Sequence, residues 1–383
     1  MDFGVVTAKV DEIGYITHAE NLGYSHCWVT DSPMIRSNCW AVLALAAQQT
    51  RRMRLGTGVN VPGLRLAPAV ANGIATINRL APGRCFIGLG TGHTGMRLLG
   101  RKPMRLGPFR EYVEVVQKLL RGEEVDYTLD GETHPIRFQM REHRFVDLDH
   151  RIPVYVAAYG PQAQALAGVI ADGLVSGLPR GGTVADMLAN VHRGATRAGR
   201  ALPPDFYTSA MVTLVMREPG EPLDSERIIA ESGAGVITGL HYLVARHLET
   251  GEDPPEYARP VWKAYMSWLD QAPPAVRHQK LHASHASFVD PEEARFITAD
   301  LVKATCVAGT PDELVEQVRD LEGQGLRQIM LYPPLNRQYR VIEDFAAKVM
   351  ARACSADAPR IGRSQDGSRS VASERQTSSP RWL

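Results

Sequence analysis

Short apolar runs alternate with stretches whose apolar positions recur at helical spacing along most of the chain. Phe3–Thr7, His26–Thr30, Met53–Asn60, Cys85–Leu89, Ile152–Ala158, Leu174–Ser176, Phe206–Met216 and Gln328–Tyr332 read as strands, being short and nearly continuous in apolar character. Between them, Ile13–Leu22, Trp40–Gln49, Ala67–Leu80, Pro108–Leu120, Pro161–Ala171, Val184–Ala198 and Tyr339–Met350 read as helices. Gly23 and Gly122 stand where a helix C-cap belongs, and Thr310-Pro311-Asp312-Glu313 has the form of a capped start for a helix running to Gly323.

Strand–helix units with near-continuous apolar strands imply a parallel sheet covered by helices. About eight such units predict a (β/α)8 TIM barrel, which needs roughly 250 residues before insertions. The excess falls at His134–Asp149 and Pro219–Ala304, taken as long insertions at the C-terminal face. The second carries amphipathic helix candidates around Ile228–His247, Trp262–Leu269 and Glu292–Val302. A doubly wound open sheet is the alternative, but its first turn usually carries a glycine-rich fingerprint, and Ala8-Lys9-Val10-Asp11 has no glycine. The barrel domain is expected over residues 1–353. Residues 354–383, with seven serines and five arginines and no periodicity, are expected to be a disordered tail.

Composition narrows the function. Lys plus Arg is 43 against 42 for Asp plus Glu, a net charge of +1, so no field of one sign recommends nucleic acid or a membrane surface. Apolar runs such as Ala41–Ala47 fall short of the roughly 18–20 residues of a membrane span, and the first residues lack a secretory pattern. Five scattered cysteines without a C-x-x-C pair suit reduced thiols. A cytoplasmic protein acting on a small molecule is expected, with a homodimer as its assembly.

In such a barrel the chemistry lies at the carboxyl ends of the strands. Four strand ends stand out: Thr30-Asp31-Ser32, Gly56-Thr57-Gly58-Val59-Asn60, the stretch Gly88–Gly95 containing His93, and Ala157-Ala158-Tyr159-Gly160-Pro161-Gln162. Glycine in such density lets backbone approach a flat or phosphorylated ligand, and a helix starting near Pro161 aims its N-terminus at an anion.

These segments carry a resemblance. Ala19-Glu20-Asn21-Leu22-Gly23-Tyr24 leading to Trp28-Val29-Thr30-Asp31-Ser32, Arg52–Val59, Pro82–Gly90, Pro153–Pro161, Ala171-Asp172-Gly173 and Gly309–Leu314 are similar, in order, to the luciferase-like (bacterial luciferase-type) oxidoreductase superfamily, above all its deazaflavin-dependent branch. The resemblance implies a barrel binding the 5-deazaflavin coenzyme F-420, or alternatively FMN, across its mouth. It implies a non-prolyl cis peptide at Gly58–Val59 behind the ring, flanked by Thr57. It also places the cofactor phosphate on Arg97, Arg110 and the Ala158–Gln162 turn, where the N–H groups of Gly160 and Gln162 complete a cradle.

The chain departs from relatives where Gly90-Thr91-Gly92-His93-Thr94 replaces a Gly-x-Gly-Asp-Ser pattern, and where Ser32 follows Asp31 in place of a histidine. His93 is therefore the leading acid/base candidate, because an ordinary imidazole pKa of about 6.5 allows it to donate and accept near neutrality. Asp31 is expected to orient it or bond the cofactor ring, and Tyr159 is the reserve catalytic candidate. Ser32, His285 and Phe288 are expected to line the substrate pocket. His278, His282 and His285 precede Glu292 and Glu293, but their spacing matches no zinc frame, so no metal is expected.

The leading reading is an oxidoreductase that uses reduced F-420 for hydride transfer to an unsaturated or carbonyl substrate. The alternatives are an FMN-dependent two-component monooxygenase, served by a separate cofactor reductase, and a catalytically idle flavin-binding protein.

Overall fold

Among the described residues, twelve strands follow in chain order: β1 (Asp2–Thr7), β2 (His26–Val29), β3 (Arg54–Asn60), β4 (Cys85–Leu89), β5 (Val125–Leu129), β6 (Glu132–Ile136), β7 (Val154–Ala157), β8 (Gly173–Gly177), β9 (Tyr207–Val212), β10 (Leu214–Met216), β11 (Val307–Gly309) and β12 (Gln328–Leu331). The structure is a computed structural model; it describes residues 1–179 and 182–353, and the expected tail, 354–383, lies outside the described residues. Eight strands close a parallel barrel in the order β1-β2-β3-β4-β7-β8-β9-β12. Closure is made by β12 on β1, with Asp2 opposite Gln328 and Val5 opposite Leu331.

The strand period of two sorts side chains between two cores. On β2, Trp28 points into the barrel while Cys27 and Val29 face the helices; on β4, Phe86 points inward between Cys85 and Ile87. Trp28, Phe86, Tyr155, Val6, Val175 and Met330 fill the barrel, with the Trp28 and Phe86 rings 4.4 Å apart. The indole N–H of Trp28 donates to Gln328 Oε1 at 2.9 Å, and Ser209 Oγ donates to the same oxygen at 2.6 Å. The larger core lies between barrel and helices. Buried Glu20 accepts from the backbone N–H groups of Arg51, Arg52 and Met53 at 2.7–3.1 Å, fixing the approach to β3.

Helix Pro311–Gly323 begins as its sequence implied, with both halves of the Thr310–Glu313 capping box formed. Three elements differ from expectation. Between the fourth and fifth barrel strands the chain forms the hairpin β5–β6, turning at Asp130-Gly131 with φ of 51° and 87°. The run Phe206–Met216 is not one strand: it breaks at Thr213, where the chain leaves the barrel and β10 pairs in parallel with β11. Glu292–Val302 is not one helix but parts of two, Pro291–Ala294 and Ala299–Thr305, each started by its own cap, Asp290 and Thr298.

The excursion between β10 and β11 builds its own core. Helix Glu226–Thr250 packs Ile228, Val236, Leu240 and Val244 against Tyr265, Trp268 and Leu269 of helix Arg259–Leu269, and against Phe296 and Leu301. With 25 residues and a mean hydropathy of 1.3 in its most apolar window, helix Glu226–Thr250 is long and apolar enough to cross a membrane; here most of that window is buried against this second core.

Candidate active site at the barrel mouth

The end of β3 shapes the floor of the mouth. The Gly58–Val59 peptide is cis, as the resemblance implied, and pairing with β4 shifts register between Thr57 and Asn60. Gly88 of β4 and Gly90 just beyond it make room for this bulge: a Cβ on Gly88 would lie 2.9 Å from Val59 Cγ1, and one on Gly90 would lie 2.6 Å from Val59 Cγ2. Thr57 is fully buried, and its hydroxyl donates to the Gly88 carbonyl at 2.8 Å, so it stitches the two strands below the rim.

Asp31, 3% exposed at the end of β2, accepts from Asn60 Nδ2 at 2.8 Å and pairs with Arg65. Arg65 is anchored in turn by Tyr112, whose hydroxyl donates to the Arg65 carbonyl at 3.0 Å. Asn60 Oδ1 is buried and has no partner among the described residues. Asp31 thus binds the rims of β2 and β3 together and does not contact His93 in a hydrogen bond.

His93 opens the short helix His93–Arg97. Arg97 Nη1 donates to His93 Nδ1 at 2.7 Å, and the same guanidinium reaches both carboxylate oxygens of Glu249, from Nε at 2.8 Å and from Nη2 at 2.9 Å. Part of the His93 ring stays open to solvent. The surrounding protein and the Arg97 charge nonetheless push its imidazole down to about 4, against an opposing pull from Glu249. The ring is therefore neutral near pH 7, with Nδ1 accepting and the proton on Nε2. Burial first, and then the Arg97 cation in hydrogen-bond contact, both work against the protonated imidazole that an acid role near neutrality needs.

The expected phosphate arginines are placed differently from each other. Arg97 is 9% exposed and neutralised by Glu249, so its fork is directed at a carboxylate of the insertion. Arg110 lies on the exposed side of helix Leu106–Leu120, paired with Glu114 one turn on at 2.7 Å. The turn after β7 keeps the open character expected of it. Gly160, Pro161 and Gln162 are exposed at the N-terminus of helix Pro161–Ile170; among the described residues no side chain caps that end, and nothing stands within 4 Å of a Cβ placed on Gly160. Ala158 is buried, its N–H bonded to the Val175 carbonyl. Tyr159 is 58% exposed, with its ring 6.4 Å from that of His93 and nearly perpendicular to it.

Beside this rim lies a cleft of about 600 Å³ lined by Lys9, Met34, Arg36, His282, His285 and Phe288, among others. It unites two of the expected pocket residues, His285 and Phe288, and is bordered by Pro33, next to half-buried Ser32. Arg36 closes its wall: Nη1 donates to Ser287 Oγ at 2.7 Å, and Nη2 to the His285 carbonyl at 2.6 Å and to Tyr332 Oη at 3.0 Å. His285 Nε2 and Thr94 Oγ1 are 3.1 Å apart, and Thr94 also meets Tyr242 Oη at 3.0 Å, so the β4 loop and the insertion share one network. Burial, with His282 and His241 nearby, holds the His285 imidazole far below its usual range.

The sequence pattern points to no role for Arg65, Arg36, Tyr242 or Glu249, and it marks Asn60 only as part of the β3 end. Asn60 was within reach, as a polar residue at the end of an otherwise apolar strand. Nothing in the spacing of Glu249 or Tyr242 announces that the insertion folds back onto the β4 loop.

A family model described as luciferase-like monooxygenase matches residues 10–328. The chain belongs to the luciferase-like monooxygenase family. Among curated relatives it is similar to 5,10-methylenetetrahydromethanopterin reductase of Archaeoglobus fulgidus, 27% identical over 84% of this chain and 89% of the relative. It is similar also to F-420-dependent glucose-6-phosphate dehydrogenase of Beutenbergia cavernae, 28% identical over 90% of this chain and 94% of the relative. Among solved structures, the F-420-dependent tetrahydromethanopterin reductase of Methanopyrus kandleri shares the fold, with a TM-score of 0.63, 22% identity, and coverage of 91% of this chain and 98% of that one. This luciferase-like chain is therefore an oxidoreductase on the barrel that its strand pattern implied.

Proposed function

We propose that the protein transfers hydride between F-420 and a small unsaturated or carbonyl compound bound at the barrel mouth. The observation that carries this reading is the β3 bulge between Thr57 and Asn60, held in the space that Gly88 and Gly90 leave open. It offers an apolar shelf beside the exposed N-terminus of helix Pro161–Ile170, so a flat ring and an anionic tail are both provided for. The buried, unpartnered Asn60 Oδ1 adds an acceptor at the same rim, which suits a ring that carries N–H groups. The F-420-dependent relatives point the same way.

Bound there, the deazaflavin supplies a two-electron hydride from a carbon that reacts poorly with oxygen. The chain's own part is positioning and polarity. Val59 would back the cofactor ring, and the N–H groups of Gly160 and Gln162 would hold its phosphate. The Asp31–Asn60–Arg65 network keeps the β2 and β3 rims in register. Neutral His93, locked by Arg97, presents an Nε2–H that polarises a substrate oxygen, the role open to an imidazole whose pKa is far below neutrality. The cleft bounded by Arg36, His285 and Phe288 receives the substrate.

Titrating the purified protein with F-420 and with FMN, followed by ligand fluorescence, tests the cofactor. Saturable F-420 binding with weaker FMN binding is expected; tight FMN binding without F-420 binding overturns the proposal in favour of the monooxygenase reading.

A further inference from the structure

Three histidines of the insertion meet in its interior. One ring nitrogen each from His241, His282 and His285 lies within 4.8 Å of the others, and the residues are 0%, 0% and 6% exposed. They come from separate segments: His241 from helix Glu226–Thr250, and His282 and His285 from the turns after helix Arg277–Lys280. The rings form a compact knot, with His282 5.1 Å from His285 and 5.9 Å from His241, both nearly perpendicular.

Buried polar atoms normally have partners. In this knot four imidazole nitrogens have none among the described residues: both of His282, Nδ1 of His241 and Nδ1 of His285. The remaining two are used outside the knot. His241 Nε2 is 2.7 Å from Glu293 Oε1, and His285 Nε2 is 3.1 Å from Thr94 Oγ1. Glu293 is itself buried and fixed, accepting from Tyr265 Oη at 2.7 Å and Ser284 Oγ at 3.0 Å. A carboxylate on one imidazole nitrogen, with the other nitrogen free, is the outer arrangement that orients a metal-binding histidine and raises its basicity. Three polar rings packed without bonds to one another would otherwise be costly in a dry core.

We propose that His241, His282 and His285 bind one divalent transition-metal ion of the zinc class, with Glu293 positioning His241. Three imidazoles suit zinc, copper, nickel or iron and disfavour magnesium and calcium. His241 and His285 bind through Nδ1, and His282 through either nitrogen. Three protein ligands leave a fourth position for water or for a molecule in the adjoining cleft, which His282 and His285 both line. The ion ties helix Glu226–Thr250 to the segment that Arg36 clamps, and so fixes the insertion against the substrate cleft. Sequence spacing conceals the site because His241 stands far upstream of the other two, while neighbouring His278 is not part of the knot.

The test is Co(II) titration of the full chain after removal of metals by a chelator, followed by visible d–d absorption and thermal melting. One equivalent of Co(II), displaced by Zn(II), with a raised Tm is expected. His282→Ala should abolish the d–d bands, Glu293→Gln should weaken affinity about 10–100-fold, and His278→Ala should bind like the parent. No Co(II) or Zn(II) binding by the parent, or unchanged binding in a folded His282→Ala, overturns the proposal. Parent and variants are compared without any cofactor or substrate, so the outcome is independent of the F-420 reading.

Discussion

Arg97 Nη1 donates to His93 Nδ1 at 2.7 Å while its other nitrogens grip the carboxylate of Glu249. The contact sets the tautomer of His93 and ties the β4 loop to the insertion. Replacing Arg97 by Ala removes a positive neighbour that lowers the His93 pKa, so the imidazole should titrate closer to its usual value. It also leaves Glu249 without its partner, and the fold should lose about 1.5–3 kcal/mol, the scale of a charge-assisted pair. NMR titration of the His93 ring and denaturant unfolding of parent and variant check both effects. An unmoved His93 pKa would show that the contact is not the governing one.

His93→Ala should slow turnover about 10²–10³-fold, the scale of losing one polarising donor, while F-420 affinity stays close to the parent's. Because His93 is neutral above about pH 4, the parent rate should show no limb of His93 origin between roughly pH 5 and 8. Stopped-flow rates against pH for parent and variant decide the matter. A limb near pH 6.5 in the parent that the variant lacks would mean that the imidazolium is the working form.

Gly90→Ala should weaken F-420 binding, since its Cβ would come 2.6 Å from Val59 Cγ2 and 3.2 Å from Ala157 Cβ. Removing the obstructed methyls in the double variant Gly90→Ala, Val59→Ala should restore part of that affinity. Fluorescence titration of the parent and the two variants reads this directly. Unchanged binding by Gly90→Ala would place the ring away from the shelf.

Stability should decline on the acid side. His26 is buried beside Tyr207 and Phe86, and burial pushes its imidazole down to about 4. Unfolded, it takes a proton near pH 6.5, so the unfolded chain binds more protons between about pH 6.5 and 4. The contribution is complete above that window and is lost as pH falls through it. The Tm should therefore drop by several degrees across the window, and less in His26→Phe. An equal drop in both proteins would assign the acid sensitivity to other groups.

The barrel was legible because its strands repeat one physical requirement, burial on both faces, which writes continuous apolar runs such as Cys85–Leu89 into the chain. The β3 bulge was legible through its glycines and its resemblance to relatives. Hairpin β5–β6 carries a two-residue turn signal at Asp130-Gly131, but the polar strands around it, with Glu132–Ile136 largely exposed, hide the alternation that marks a strand. The wiring of the site was not legible. The Arg97–Glu249 and Thr94–His285 contacts depend on how the insertion docks on the rim, which is a matter of tertiary packing and leaves no periodic trace.

If the mouth between β3 and helix Pro161–Ile170 holds F-420, as proposed, a crystal structure of the protein with F-420 will show it. The ring is predicted to lie against Gly58–Val59, with the phosphate at the N–H groups of Gly160 and Gln162. A ring bound away from the β3 bulge, or a phosphate held outside the Gly160–Gln162 turn, would contradict the account.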